Sequence, residues 1–291
     1  MGVSAESFTS RPLSVRGRSF QVIDHPVVTA GAAEFAGGFE EGTLRFFDAA
    51  LPRCERMIDC GAYVGLTTLY AASHGVAITA FEPSRVNFQF FAANVAANPL
   101  LAPRITIHNH GVGACDETVT LFAKGFADSG SSVFRIVERG GAVAGRPDAT
   151  VALRQADEAL REAGLNDRTL LKIDIEGAEY AVLPAIAGLL AEHKPWLHLS
   201  FHPFNLAADR DPYAAAVHRL RAGLQVAEAT ACYRFLHLFA EGDWCTVGPE
   251  DRMGFLRQYL LQPKPVPRIA SPQFGFVDAV AFSDQPLPDG A

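Results

Sequence analysis

The densest run of chemistry-bearing side chains is "LLKIDIEGAEYAVLPAI", residues 170–186, where Asp174 and Glu176 close an apolar stretch and Glu179 follows. An ionised carboxylate taken out of water without a partner is costly, so two at the end of such a stretch need a role. Strand alternation sets Lys172, Asp174 and Glu176 on one face and Leu171, Ile173 and Ile175 on the other, which predicts a half-solvated strand. Asp174 is the candidate to accept or orient a proton, and Glu176 to bind an acceptor hydroxyl or position its neighbours. Glu179, in the first turn of the next helix, is explained by the helix dipole alone. "HLSFHPFN" adds His202 as a second proton-transfer candidate, whereas His198, deeper in its strand, reads as structural. Asp174, Glu176 and His202 together offer two carboxylates and an imidazole to a divalent ion, but no tight local spacing singles this set out and no metal is expected.

A second constellation lies upstream. "MIDCGAYVGLTT" places Asp59 at a strand end, Gly61 in the turn and Gly65 at the start of a helix, an arrangement that lets backbone and helix N-terminus approach a ligand. The dinucleotide fingerprint G-x-G-x-x-G is not met, because Ala62, Tyr63 and Val64 separate the glycines. Glu82 in "ITAFEPS" lies 21 residues past Gly61, where a carboxylate takes both hydroxyls of a ribose. S-adenosylmethionine and a nicotinamide cofactor both suit such a turn. Asp59 favours the former, since a carboxylate there repels a pyrophosphate and suits an ammonium and a sulfonium.

Alternating elements must position these residues. "EGTLRFFDAAL" has helical spacing; "RMIDC", "VAITAFEPS" and "RITIHNHGV" read as strands, with helices over "GLTTLYAASHG" and "SRVNFQFFAANVAANP" between them. The connector holds "ETVTLFA" as a hairpin arm, "DSGSS" as a loop, with Ser131 and Ser132 able to face a ligand, and "RPDATVALRQADEALREAGL" entering a helix. The strand "LLKIDI", the helix "AEYAVLPAIAGLLAEH" and the strand "PWLHLSF" follow, then the helix "DPYAAAVHRLRAGL" and a last strand, "QFGFVDAVAFS", at the sheet edge. Before the core, "RSFQVIDHPVV" reads as a short strand or hairpin. Such alternation predicts an α/β Rossmann-like fold, a mostly parallel sheet with helices on both faces and an antiparallel edge strand. "LLKIDI", the strand after the crossover, is expected beside "RMIDC". One domain over 1–291 is expected, with an extension over 1–40, a cofactor-binding core over 41–205, and a part over 206–291 that completes the sheet and the acceptor pocket.

The blocks "EGTLRFF", "MIDCGAYVGLTTLYAA", "FEPSRVNFQFFAANVAAN", "NHGVGACDETVTL", "SGSSVF" and above all "KIDIEGAEYAVL" resemble the FkbM family of S-adenosylmethionine-dependent methyltransferases, over residues 40 to 205. The resemblance implies a class I methyltransferase fold and methylation of a hydroxyl on a small metabolite such as a sugar or polyketide. It implies Asp59, Gly61, Ala62, Tyr63 and Gly65 at the amino-acid end of S-adenosyl-L-methionine, Glu82 with Pro83 at the ribose, Gly111 and Val112 near the adenine, and Asp174 beside the transferable methyl. Tyr63 departs from the family's usual Asn or His, and Ser200 from its usual Glu. An NAD(P)-binding oxidoreductase and a non-catalytic S-adenosylmethionine-binding protein are the alternative expectations.

Composition narrows the partners. Acids outnumber bases by 32 to 25 and no basic block gathers to neutralise phosphates, so nucleic acid is not expected. Five scattered cysteines without a C-x-x-C pair read as reduced thiols of a cytoplasmic protein. The N-terminus has no apolar leader and Glu6 breaks a myristoylation pattern, and no apolar run reaches transmembrane length, so no membrane partner is expected. The partner that remains is a small hydroxylated acceptor; the oligomeric state is not legible.

Overall fold

The protein is represented by a computed structural model that describes residues 8–133, 136–137, 143–202, 205–206, 211–240, 242–248, 252, 269–271 and 275–288. The expectations for the N-terminal seven residues, and for Phe134, Pro203, Phe204, Gln273 and Phe274 within the quoted segments, lie outside these.

A hairpin, β1 (Ser10–Val15) and β2 (Arg18–Ile23), opens the chain, and helix α1 (Pro26–Ala36) follows. The strand expected through "DHPVV" therefore stops at Ile23. Pro26 cannot donate to a ladder but suits a first helical position, and the His25 ring accepts the Val27 N–H as a cap. Helix α2 (Glu41–Ala50) leads into β3 (Arg56–Cys60), α3 (Leu66–Ala72), β4 (Ala77–Phe81), α4 (Arg85–Ala96) and β5 (Ile105–His108), the alternation read from the sequence. The connector contains β6 (Gly111–Gly113), β7 (Glu117–Ala123), β8 (Ile136–Val137), β9 (Val143–Ala144) and β10 (Arg146–Gln155) before α5 (Ala156–Glu162). Here the reading needs correction: "RPDATVALRQ" is a ten-residue strand, antiparallel to β7 and parallel to β6, and only the residues after it are helical.

Then come β11 (Thr169–Ile173), α6 (Glu179–Ala185), α7 (Ala187–His193) and β12 (Trp196–Leu199). The single helix expected over 178–193 is two, because Pro184 removes an N–H from the ladder and crowds the preceding turn. Helix α8 (Pro212–Ala229) and strands β13 (Phe235–Ala240), β14 (Asp243–Val247), β15 (Ile269–Ser271) and β16 (Gly275–Ser283) complete the described chain.

The main sheet runs β14-β13-β16-β12-β11-β3-β4-β5, with β15 paired to β16. Strands β12, β11, β3, β4 and β5 are parallel, whereas β16, β13 and β14 add an antiparallel side. "QFGFVDAVAFS" is thus antiparallel as expected but lies between β12 and β13 rather than at the edge, which β14 forms. The order reverses between β3 and β11, which pair in register with Lys172 opposite Asp59, as expected for the strand after the crossover. This is a Rossmann-like α/β fold, and its reversal leaves a crevice at the carboxyl ends of the strands.

Period-two alternation divides the core. Met57 and Leu170 pack with the helices α1 to α4, while Ile58, Cys60, Leu171 and Ile173 pack with α5 to α8. Every residue of β11 is buried, so the face carrying Lys172 is not half-solvated as its polarity suggested.

One glycine registers β3 against β11. Gly61 has φ +88, and a Cβ there would lie 1.8 Å from the Asp174 carbonyl oxygen, a backbone atom that cannot move aside. Gly61→Ala should destabilise the fold by about 3 kcal/mol or more, strain and overpacking together. Gly75→Ala, also at positive φ but with nothing within 4 Å, should cost only the backbone term of roughly 1–2 kcal/mol. Denaturant unfolding of the two variants checks the difference.

Candidate active site

A cavity of about 1100 Å³ opens at the carboxyl edge of the sheet, where the strand order reverses. Gly61, Ala62 and Tyr63 from the turn after β3 line it, with Glu82 and Pro83 from the end of β4. Gly111 and Val112 of β6 lie on the same wall, and Asp174, Glu176 and His202 face them from the ends of β11 and β12. Two predicted residues are not on the wall. Gly65 has φ +85 and caps α3, and a Cβ on it would strike the Phe91 ring at 2.2 Å, so it serves helix packing. Asp59 is wholly buried beneath the turn.

The Asp59 carboxylate accepts hydrogen bonds from the hydroxyls of Thr67 (3.1 Å) and Thr68 (2.7 Å) and from the Lys172 ammonium (3.1 Å). Lys172, 2% exposed, also reaches Asp174 at 3.5 Å and the Gly61 carbonyl at 3.3 Å. Burial alone would lower the Lys172 pKa, but Asp59 and Asp174 outweigh it and hold the ammonium charged. Burial likewise works against the Asp174 carboxylate, yet Lys172 and His202 keep its pKa below the ordinary value. Asp174 therefore stands ionised, with its side chain 22% exposed towards the cavity.

The next turn holds Glu176 at φ +54, a left-handed conformation unfavourable for a side chain of this kind. Four contacts enforce it. The Glu179 carboxylate accepts the N–H groups of Ile175 (3.0 Å) and Gly177 (2.8 Å), and the Glu176 carbonyl accepts from Ser132 Oγ (2.5 Å) and Asn205 Nδ2 (3.0 Å). Glu179 is thus more than an acid favoured by a helix dipole: it is wholly buried and also meets His202 Nδ1 at 2.9 Å.

His202 Nε2 lies 3.3 Å from Glu176 and 3.7 Å from Asp174. Burial would lower the His202 pKa, but Glu176, Glu179 and Asp174 push it up to about 10. Burial, reinforced by Asp174 and Glu179, pushes Glu176 up to about 7. His198, fully buried against Phe46 and Phe47, is driven down to about 3 by burial and by Lys172, which fits the structural role read for it.

Across the cavity, Glu82 accepts the N–H groups of Tyr63 and Ser84, each at 2.9 Å, yet burial still pushes its pKa up to about 7. The "DSGSS" loop is a lip pinned to the body: Tyr63 Oη donates to the Ala127 carbonyl at 3.1 Å and Asn87 Nδ2 to that of Asp128 at 3.3 Å. The hydroxyls of Ser131 and Ser132 are spent on the carbonyls of Asp128 and Glu176 rather than offered outright to a ligand. Sequence reasoning placed Lys172 on a face without giving it a role, and it missed Thr67, Thr68 and Asn205. The two threonines had a signal, since residues eight and nine past Asp59 fall in the first turn of the helix that follows. Lys172 had none, because its partner lies 113 residues away.

The sequence pattern described as "Methyltransferase FkbM domain" matches residues 59–242, well over half the chain. The chain belongs to the FkbM methyltransferase family. No match was found among curated proteins. Similar solved structures include a methyltransferase FkbM from Methylobacillus flagellatus KT, 20% identical, TM-score 0.43, covering 79% of this chain and 44% of that one. A SAM-dependent methyltransferase from Agrobacterium tumefaciens is 13% identical, TM-score 0.39, covering 78% and 60%. A putative O-methyltransferase from Klebsiella pneumoniae is 13% identical, TM-score 0.37, covering 91% and 84%. This chain thus spans about half the length of the first two. No helix among the described residues is long and apolar enough to cross a membrane.

The ion pair beneath the cavity has a measurable consequence. Lys172→Met leaves Asp59 buried without a counter-charge and should cost about 3–5 kcal/mol in denaturant unfolding. The double variant Asp59→Asn/Lys172→Met should lose clearly less than the sum of the two single changes.

Proposed function

We propose that this FkbM-family chain is an S-adenosylmethionine-dependent methyltransferase that methylates a hydroxyl of a small metabolite, a sugar, polyketide or similar compound. The observation that carries the reading is the pairing, across one cavity at the strand reversal, of the buried Glu82 carboxylate with the ionised Asp174. Bound there, S-adenosylmethionine would supply a methyl group on a sulfonium, to be transferred to an acceptor oxygen that gives up a proton.

The residues present fit that ligand. Glu82 offers acceptor oxygens to a ribose diol; Pro83, Gly111 and Val112 supply an apolar wall suited to adenine; Gly61, Ala62 and Tyr63 bring backbone close to the amino-acid end. Asp59 acts at one remove, through Lys172 and Thr67, and is a positioning residue. Asp174 takes or orients the acceptor proton, and Glu176 binds an acceptor hydroxyl. With three carboxylates around it, His202 is charged while neither acceptor nor cation is bound, and in that state it orients the acceptor rather than deprotonating it. Phe239, Ala279 and Val280 line the same cavity, which supports the reading of residues 206–291 as the part that completes the acceptor pocket of one catalytic domain. Exposed Phe39 and Phe126 stand at its margin. A nicotinamide cofactor is less well served, since the turn lacks the dinucleotide glycine spacing.

Calorimetry should show S-adenosylhomocysteine binding to the folded chain, and no binding would end this reading. Because burial holds Glu82 near pH 7 and hydroxyl donors favour its ionised form, affinity should weaken as pH falls below about 7. One linked proton limits the slope to about tenfold per pH unit. Glu82→Gln should flatten that slope. Asp174→Asn should keep cofactor affinity within a few fold while lowering turnover, measured with labelled cofactor and a panel of hydroxylated acceptors, by about 10² or more. Binding with no turnover on any acceptor would favour a non-catalytic S-adenosylmethionine-binding protein.

A further inference from the structure

We propose that Asp174, Glu176 and His202 bind a divalent cation of the Mn2+ or Mg2+ class at the acceptor end of the cavity. One ligand atom from each lies within 4.8 Å of the others, and all three side chains are partly exposed to the same space. The Nε2 atom of His202 stands 3.3 Å from Glu176 Oε1 and 3.7 Å from Asp174 Oδ1. Two ligands in adjacent positions about 2.1 Å from one ion lie about 3.0 Å apart, so small side-chain adjustments bring these atoms onto a common ion.

The imidazole and its support set this group apart from an ordinary acidic cluster. His202 Nδ1 is held at 2.9 Å by Glu179, a carboxylate anchored by two backbone N–H groups of its own turn. A carboxylate in that place fixes a metal-ligating histidine, because a proton held on Nδ1 leaves the Nε2 lone pair directed at the ion. Glu176 is oriented as well: Asn205, wholly buried beside it, donates through Nδ2 to its carbonyl at 3.0 Å and to its Oε2 at 3.4 Å. With Oε2 turned to that amide, Oε1 is the Glu176 oxygen that faces His202, at 3.3 Å.

Charge points the same way. Asp59, Asp174, Glu176 and Glu179 converge on one lysine and one imidazole, and Lys172 already serves both Asp59 and Asp174. Two carboxylates with one imidazole is an oxygen-rich set, which favours Mn2+ or Mg2+ over thiophilic metals. Its use would be to hold the acceptor hydroxyl and make its proton easier to lose. That use rests on the proposed function, whereas the binding itself does not.

The test uses the full chain, stripped with a chelator and titrated with Mn2+ alone while the electron paramagnetic resonance signal of the free ion is followed. One Mn2+ should bind per chain with a dissociation constant below about 1 mM, within the range of carboxylate-rich sites. His202→Ala and Glu176→Gln should each weaken it at least about tenfold, while Asp148→Asn, an exposed acid elsewhere, should not. Pulsed spectra of the wild-type complex should show coupling to one imidazole nitrogen, a readout that needs no variant to fold. A free-ion signal that persists at millimolar protein, or bound Mn2+ without nitrogen coupling, would overturn the proposal and leave a proton as what joins His202 to the carboxylates. Mn2+ binding without S-adenosylhomocysteine binding would reject the methyltransferase reading and keep the metal site.

Discussion

The buried ammonium of Lys172 is the fixed point around which the cavity is arranged. It ties Asp59 at the end of β3, the Gly61 carbonyl in the next turn and Asp174 at the end of β11 to one charge. Taking an ammonium and two carboxylates out of water costs several kcal/mol per ion, and hydrophobic residues of similar volume would often give a fold at least as stable. What the charges provide instead is position. An ionised Asp174 held at the rim depends on Lys172 staying protonated beneath it, and Asp59, braced by Thr67 and Thr68, keeps it so.

The second constraint is the turn after β11. Glu176 occupies a left-handed conformation that costs of the order of 1–3 kcal/mol and persists only where its surroundings over-determine it. Here they do: Glu179 takes two N–H groups of the turn, and Ser132 and Asn205 both donate to the Glu176 carbonyl. One acid of the turn itself and two distant segments are thus spent on fixing the backbone at one residue. A role in holding structure alone would be met by a glycine in the same conformation, so the strain argues that the side chain is what the turn is built to present.

Much of this was legible in the sequence, and the failures have physical causes. Strands β3, β4, β5 and β11 and the helices between them announce themselves because the apolar period switches sharply from two to helical spacing. Strand β10 was hidden because its alternation runs straight into α5 without a breaking residue. The position of β16 was misjudged because its partners are set by a long-range antiparallel return that no local pattern encodes. Asp174, Glu176 and His202 could be picked out by residue type, and the structure brings them to one wall. Asp59 was read as facing a ligand because its register partner, Lys172, is visible only once β3 and β11 are laid side by side.

Those two strands also explain how the two ends of the cavity stay in register. The Asp174 N–H donates to the Cys60 carbonyl at 2.9 Å, the Gly61 N–H to the Phe81 carbonyl at 3.0 Å, and the Asp174 carbonyl passes over Gly61 where no Cβ fits. The glycine turn, the Glu82 strand end and the carboxylate rim are therefore successive links of one hydrogen-bonded framework rather than separate loops. In-line transfer between two bound molecules depends on holding them within a fraction of an ångström of the productive geometry. A framework of backbone hydrogen bonds supplies that better than mobile side chains would. Ser200, the departure from the family's usual Glu noted in the sequence, lies on the wall of this same cavity, and its N–H donates to the Ile173 carbonyl at 3.1 Å, so the end of β12 is tied to β11 within that framework.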